Sequence, residues 1–155
     1  MLRTCGITGH RAIDVSKIDD VKRELRREIS EAIADGYTRF LSGMAEGVDL
    51  YFSEIVAELE EDNPTLTLEA VLAHPGRLDS KDQDFHRLLK VCNSTVIRSP
   101  KYTPNCYLIR NRYIVIESSR VIAVYDGREK GGTVSTMRYA STLQRDLRVI
   151  RVDEL

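Results

Sequence analysis

The sequence predicts a single α/β domain of Rossmann-like, doubly wound build, with about six strands in a mainly parallel sheet and about five helices, in three layers. Short apolar runs of strand length alternate with segments of helical period along the whole chain, and glycine-bearing turns follow three of the runs. Regular alternation of this kind forms βαβ units, whose right-handed crossovers place the strands parallel. The 155 residues contain no linker or internal repeat, so one domain over residues 1–155 is expected.

The first half of the chain predicts three strands and two helices. The strands fall at residues 2–8, 39–42 and 66–73. Apolar residues spaced by three and four, from Ile18 to Ile33, predict the first helix, with Ser16 as its N-cap, Asp19 as the acid of a capping box and Gly36 at its end. A second helix begins near Val48, after a glycine-bearing loop, and ends before an Asn-Pro pair.

The second half continues the alternation. Ser80, with Gln83 three residues later, predicts the cap of a third helix, and β-branched runs predict strands at residues 94–97, 120–125 and 147–152. Helices at residues 105–118 and 131–145 lie between them.

Composition excludes several classes of protein. Formal charge is −1, from 23 basic and 24 acidic side chains, so a nucleic-acid partner is not expected from bulk charge. Cys5, Cys92 and Cys106 form no C-x-x-C pair and the histidines are scattered, so no metal site is expected. Neither an apolar signal segment nor an apolar run of membrane-span length is found, which leads us to expect a cytoplasmic protein without a membrane partner.

Polar and glycine-rich segments directly follow the predicted strands. Parallel sheets bind ligands beyond the carboxyl ends of their strands, so the candidate ligand-binding residues lie in these segments. They are Thr8, Gly9, His10, Arg11, Ser42, Gly43, Met44, Gly47, Asp49, Asp126, Gly131, Gly132 and Thr133.

Phosphate is the ligand that such segments suit best. Glycine lets the backbone approach a ligand closely, helix N-termini offer free N–H groups, and Arg11 could grip phosphate through two donors. Neither G-x-G-x-x-G after the first strand nor a P-loop pattern is present, which disfavours an ordinary dehydrogenase or NTPase. Asp49 suits either ribose hydroxyls or the dipole of its own helix, and Asp126 suits either a ligand or a turn.

Four motifs together resemble one family. They are Thr8-Gly9-His10-Arg11, the run from Ser42 to Asp49, Arg110-Asn111-Arg112-Tyr113, and Gly131-Gly132-Thr133-x-x-Thr136. They resemble the YpsA-like family of the SLOG superfamily, which also holds the LOG proteins and the DNA-processing Smf/DprA proteins. The resemblance spans nearly the whole chain and implies a Rossmann-like fold that binds a nucleotide-type ligand, with Arg110, Asn111 and Thr136 added to the site.

The resemblance also bears on catalysis. LOG-type phosphoribohydrolases carry an Arg-Lys pair on the fourth helix and a Glu in the last helix. The Arg and the Glu are implicated in cleaving the N-glycosidic bond of a nucleoside monophosphate. Here Arg110 occupies the Arg position, Asn111 replaces the Lys, and Thr136 stands in place of the Glu. Glu46 or Asp49 would have to supply the missing carboxylate.

Three functions therefore stay open. The first is non-catalytic binding, or sensing, of a nucleotide-derived ligand such as ADP-ribose, an NAD-derived molecule or a nucleoside monophosphate, with no cofactor required. The second is a LOG-like N-glycosidic hydrolase, and the third is DprA-like binding of single-stranded DNA. The resemblance to LOG proteins further implies a homodimer or a higher homo-oligomer.

Overall fold

A computed structural model describes residues 3–155. Its six strands are β1 (Arg3–Gly9), β2 (Tyr37–Ser42), β3 (Thr67–Leu72), β4 (Ser94–Ile97), β5 (Arg120–Tyr125) and β6 (Asp146–Arg151). Its five α-helices are α1 (Ile18–Ala34), α2 (Val48–Asp62), α3 (Gln83–Val91), α4 (Cys106–Glu117) and α5 (Gly132–Thr142). Three short 3-10 helices complete it, at Val15–Lys17, Pro75–Asp79 and Val152–Glu154.

The strands form one parallel sheet in the order β4-β3-β2-β1-β5-β6. The chain runs outward from β1 to β4 along one side, then crosses back through α4 to β5 on the other side of β1. The direction of winding therefore reverses between β1 and β5. The loops that follow these two strands diverge there and leave a crevice at the carboxyl edge.

Helices cover both faces of the sheet, which confirms the predicted three-layer architecture. On one face α1, α2 and α3 pack side by side, and α1 and α2 bury residues such as Leu25, Ile29 and Phe52 against β1 and β2. On the other face α4 and α5 pack together over β1 and β5, where Ile114 and Ala140 are buried. Burial on both faces explains why β5, with the sequence RVIAVY, is nearly a continuous apolar run.

The strand and helix predictions hold to within a few residues at their ends. Residue 2, which was predicted to begin the first strand, lies outside the described residues. Predicted and observed lengths differ most for the last helix, which ends at Thr142 rather than near residue 145.

Both predicted N-caps were wrong. Asp14 accepts hydrogen bonds from the backbone N–H (2.9 Å) and the hydroxyl (2.8 Å) of Ser16, so Ser16 is a donor inside a 3-10 turn and α1 begins without a side-chain cap. Asp82 caps α3, accepting from the N–H groups of Asp84 and Phe85. In both places an aspartate close to the predicted serine is the stronger acceptor.

Candidate functional site

Two adjoining cavities lie at the carboxyl edge of the sheet, and we call them together the groove. The central cavity, of about 460 Å³, lies between the loop after β1, the start of α5 and the side of α4. The side cavity, of about 320 Å³, lies between the loops after β2 and β3. Arg11, Ala45, Tyr107 and Arg110 line both of them. Both volumes fall within the usual range for small-molecule sites.

Most of the predicted residues meet at this groove. The central cavity is lined by Thr8, Gly9, His10, Arg11, Asp49, Arg110, Asn111, Gly132 and Thr133. The side cavity adds Gly43 and Glu46. The predicted residues that line neither cavity are Ser42, Met44, Gly47, Asp126, Gly131 and Thr136.

The loop after β2 is held from within by Ser42 and Met44. The Ser42 hydroxyl accepts the Met44 N–H at 3.1 Å and bonds the Ser53 hydroxyl at 2.8 Å, and all three residues are buried. Arg77 donates from Nε (3.0 Å) and Nη2 (2.8 Å) to the Met44 carbonyl. The Ser42 and Met44 side chains therefore lie inside the loop and do not line the groove, whereas Arg77 holds the loop from the side cavity.

Two glycines act through packing. A Cβ on Gly9 would lie 2.4 Å from Cγ1 of Val48, so its absence lets β1 approach α2. A Cβ on Gly47 would lie 2.3 Å from the backbone oxygen of Arg11, and the Val48 N–H donates to the His10 carbonyl at 3.3 Å. The backbones of the loops after β1 and β2 are therefore in direct contact beside the groove.

Arg110 is a buried cation at the junction of the two cavities. Its Nε donates to Asn111 Oδ1 at 2.8 Å, and its Nη1 donates to the carbonyls of Gly43 (2.7 Å) and Val71 (3.3 Å). Burial lowers the pKa of its guanidinium and Asp49 opposes the change, but an arginine keeps its charge in proteins. Within residues 3–155 Arg110 forms no salt bridge, and its Nη2 makes no hydrogen bond although solvent reaches it.

Asp49 is the carboxylate of the central cavity. One of its oxygens accepts the Ala45 N–H at 3.2 Å, and a Cβ on Gly43 would lie 2.9 Å from the same oxygen and 2.4 Å from Nη1 of Arg110. Burial raises the pKa of Asp49, while Arg110 opposes the rise. Gly43 thus allows a buried acid and a buried cation to flank one stretch of backbone.

His10 joins the loop after β1 to the loop after β5. Its Nε2 lies 3.2 Å from both the backbone nitrogen and the carboxylate of Asp126, and its Nδ1 lies 3.4 Å from the Thr133 hydroxyl. The Asp126 N–H points at Nε2, which assigns the hydrogen of the neutral ring to Nδ1. That hydrogen faces Thr133, so His10 is not placed to take a proton from the hydroxyl as the base of a nucleophilic triad.

The burial of His10 predicts a pH effect on stability. Burial lowers its pKa, an effect that Asp126 opposes and Arg128 adds to. Below the ordinary value of 6.5 the unfolded chain therefore binds more protons than the folded one, and the free energy of unfolding decreases as the pH falls through this window. His10→Gln keeps an acceptor for the Asp126 N–H but does not titrate. We expect urea midpoints to fall more between pH 7.5 and 5.5 in the natural chain than in this variant; equal changes would contradict the account.

The start of α5 faces the central cavity through Gly132 and Thr133. The first N–H groups of a helix have no partner inside it and carry the positive end of its dipole, which suits an anion. Thr136, one turn further, donates its hydroxyl to the Gly132 carbonyl at 2.8 Å and lines a separate hollow between α4 and α5. Thr136, which the resemblance to LOG proteins aligns with their Glu, therefore offers a hydroxyl bonded to its own helix.

Several residues that line the groove were not among the predicted site residues, including His74, Arg77 and Tyr107. The Arg11 guanidinium lies 5.0 Å from the centre of the Tyr107 ring. Tyr107 stands one helical turn before Arg110, a spacing that places both on one side of α4 and could have indicated it. His74 and Arg77 follow β3, in a segment that does not lead from several glycines directly into a helix. Only the general rule that ligands bind beyond the carboxyl ends of parallel strands indicated this segment.

The sheet, its reversal between β1 and β5 and the cationic groove at that point define a Rossmann-like α/β protein with a ligand-type crevice at its switch point. The model of the YpsA family, described as the YspA SLOG family, matches residues 5–155. The chain belongs to this family, as the motifs predicted.

Two relatives match the chain over most of its length. A UPF0398 protein of Enterococcus faecalis is 23% identical over 172 aligned residues, covering 100% of this chain and 96% of the relative. A UPF0398 protein of Bacillus thuringiensis is 21% identical over 143 residues, covering 84% of this chain and 78% of the relative.

Two solved structures share the fold. The DNA processing protein A of Helicobacter pylori, whose structure concerns its single-stranded DNA binding mode, has a TM-score of 0.65 and 22% identity over 95% of this chain. This chain spans only 64% of that protein's length. The structure of TM1055 has a TM-score of 0.61 and 16% identity, over 94% of this chain and 72% of the other.

Two further findings concern residues 3–155 of the structure. No helix there combines the length and apolar character needed to cross a bilayer. No three His, Cys, Asp or Glu side chains there converge in a way that could hold a metal ion.

Proposed function

We propose that the groove binds a nucleotide or nucleotide-derived ligand, such as ADP-ribose, an NAD-derived molecule or a nucleoside monophosphate. The observation that carries this proposal is Arg110, a buried cation with no salt-bridge partner among residues 3–155 and with free donors at the junction of both cavities. Asp49 lies close to Arg110 and partly offsets its charge without forming a salt bridge with it. A buried charge without a direct partner is costly, and an anionic ligand would supply that partner.

The surroundings of Arg110 suit the phosphate of such a ligand. Arg11 also forms no salt bridge within residues 3–155, and the free N–H groups at the start of α5 lie in the same cavity. Guanidinium groups and helix N-termini are both well suited to bind phosphate. Asp49, at the wall, is a hydrogen-bond acceptor that fits the hydroxyls of a ribose.

Binding is tested with AMP, ADP-ribose and NAD, with adenosine as a control that lacks the phosphate. A ligand present at 100 times its Kd adds about 2.7 kcal/mol to the stability of the folded state, which for a chain of this size raises Tm by roughly 5–10 °C. We expect a rise of this order with at least one phosphate-bearing ligand and a much smaller one with adenosine. The absence of any thermal shift and any calorimetric heat at millimolar concentration would rule the proposal out.

A hydrolase is the second candidate, and the position of Asp49 favours it. An acid with a raised pKa in the ligand cavity is suited to manage a proton in N-glycosidic cleavage. Glu46, the other candidate, is exposed and lines only the side cavity. Release of adenine from AMP that Asp49→Asn abolishes would establish this activity, and no release at high enzyme concentration would exclude it.

Binding of single-stranded DNA is a third candidate, suggested by the fold shared with DNA processing protein A. The net charge of −1 speaks against a strong electrostatic contribution to such binding. A gel shift of an oligonucleotide that weakens steeply with salt would support it.

A further inference from the structure

Three aromatic rings cluster beside the side cavity: His74 and Tyr107 line it, and Tyr102 packs against both of them. The His74 ring meets Tyr102 edge-on at 5.5 Å and Tyr107 edge-on at 5.9 Å between ring centres, and the two tyrosine rings lie 6.5 Å apart. Tyr107 lines both cavities and His74 lines the side cavity. We call these three residues the aromatic wall.

The aromatic wall is unusually open for residues of its kind. Tyr102 is 62% exposed and Tyr107 is 37% exposed, although large apolar side chains usually gain from burial. The His74 Nε2 and the Tyr107 hydroxyl lie 3.4 Å apart, and the Gly76 N–H donates to His74 Nδ1 at 3.1 Å. The rings are therefore held in place while part of their surface faces solvent.

The chemistry of the wall differs from that of the other end of the groove. The two cavities share Arg11, Tyr107 and Arg110 but differ in what each adds. The central cavity adds the N–H groups at the start of α5, which suit an anion. The side cavity adds the His74 ring and the Arg77 guanidinium, beside the carboxylates of Glu46 and Asp82. Planar heteroaromatic groups bind to such rings by stacking, and guanidinium planes add a cation–π contribution. Because Tyr107 and Arg11 line both cavities, one ligand can reach both ends.

We propose that the aromatic wall is the subsite for the base of the nucleotide, with the phosphate at the start of α5. This inference rests on the proposed function and adds the orientation of the ligand and the chemical class of its second part, a nucleobase. The same chemistry is offered by a free nucleotide and by the bases of a single strand, and the experiment separates these two sources.

The test compares AMP with ribose 5-phosphate, which lacks the base, by calorimetry on the full chain. Stacking of one base contributes enough to strengthen binding by about 5- to 150-fold. We expect AMP to bind more tightly than ribose 5-phosphate by such a factor. Because Tyr107 also lies against Arg11, Tyr107→Leu weakens both ligands, but we expect it to weaken AMP more and so to remove most of the difference between the two affinities.

Two further variants test whether the effect of Tyr107→Leu comes from the aromatic wall and not from a general loss of structure. Tyr102→Ala changes the most exposed ring of the wall and is expected to weaken AMP by a smaller factor in the same direction. Tyr139→Leu alters a tyrosine that lines the separate hollow between α4 and α5, under Arg112, and is expected to change neither affinity.

The outcomes separate the subsite from the groove as a whole. Equal affinity for AMP and ribose 5-phosphate, unchanged by the wall variants, would overturn the base subsite and leave phosphate binding in place. Failure of both ligands to bind would instead remove the proposed function. Tighter binding of a short oligo-dT than of dTMP, lost in Tyr107→Leu, would assign the subsite to a strand; tighter binding of dTMP, lost in the same variant, would assign it to a free nucleotide.

Discussion

Gly47→Ala is expected to lower the free energy of unfolding by about 2–6 kcal/mol. Gly47 precedes α2 with φ +82° and ψ −128°, a conformation that only glycine adopts readily. The new Cβ would also lie 2.3 Å from the backbone oxygen and 2.7 Å from the backbone carbon of Arg11. Because these are backbone atoms, no side-chain rotation relieves the clash, and the loops after β1 and β2 must separate.

Gly36→Ala provides the matched control for the cost of the conformation alone. Gly36 also has a positive φ, of +93°, but the nearest atom to its added Cβ is Cδ of Arg3, at 3.9 Å. We expect a loss of only about 1–2 kcal/mol there. Urea unfolding followed by far-UV circular dichroism measures both changes. Equal losses in the two variants would show that the contact between the loops contributes nothing.

The fold was predictable because its signals are local. The apolar runs that become β1, β2, β3 and β5 are buried on both faces, and the intervening helices carry their own periodicity. The order of the strands was not predicted, because it depends on where α4 crosses the sheet rather than on any pattern inside a segment. The N-caps failed for a related reason: several acceptors compete within a few residues, and geometry decides among them.

The sequence predicted the position of the candidate site better than it predicted the role of each residue in it. The rule for parallel strand ends brought His10, Arg11, Asp49 and Thr133 to one cavity. It did not distinguish a residue that faces the groove from one that supports it. Ser42, for example, satisfies its hydroxyl inside the loop, because its side chain alternates toward the core at the end of β2.

Arg110 shows that one residue can both support the site and face the groove. Adjacent helical residues diverge by about 100°, which predicts that Arg110 and Asn111 cannot both face one point. In the structure both residues nevertheless line the central cavity, and the Asn111 side chain accepts a hydrogen bond from Nε of Arg110. One guanidinium thus braces the loop after β2 and still presents free donors, a combination that depends on contacts distant in sequence.

Arg110→Met is expected to weaken the binding of AMP by about 10- to 150-fold, equivalent to about 1.5–3 kcal/mol, the usual contribution of hydrogen bonds to a charged group. Methionine replaces much of the volume and removes the charge. It also leaves the Gly43 carbonyl without its donor at 2.7 Å, so a moderate loss of stability accompanies the loss of affinity. Calorimetric titration at matched folded fraction separates the two effects.

Arg112→Met is the matched control, since it removes an equal charge from the same helix two residues away. Arg112 is exposed and stacks on Tyr139 at 5.0 Å, facing the hollow between α4 and α5 rather than the groove. If net charge alone attracted the ligand, both variants would weaken AMP alike and salt would weaken the natural chain steeply. If a buried guanidinium meets the phosphate directly, only Arg110→Met weakens AMP, and it does so at high salt as well. Equal losses in the two variants would therefore contradict the site at the junction of the cavities.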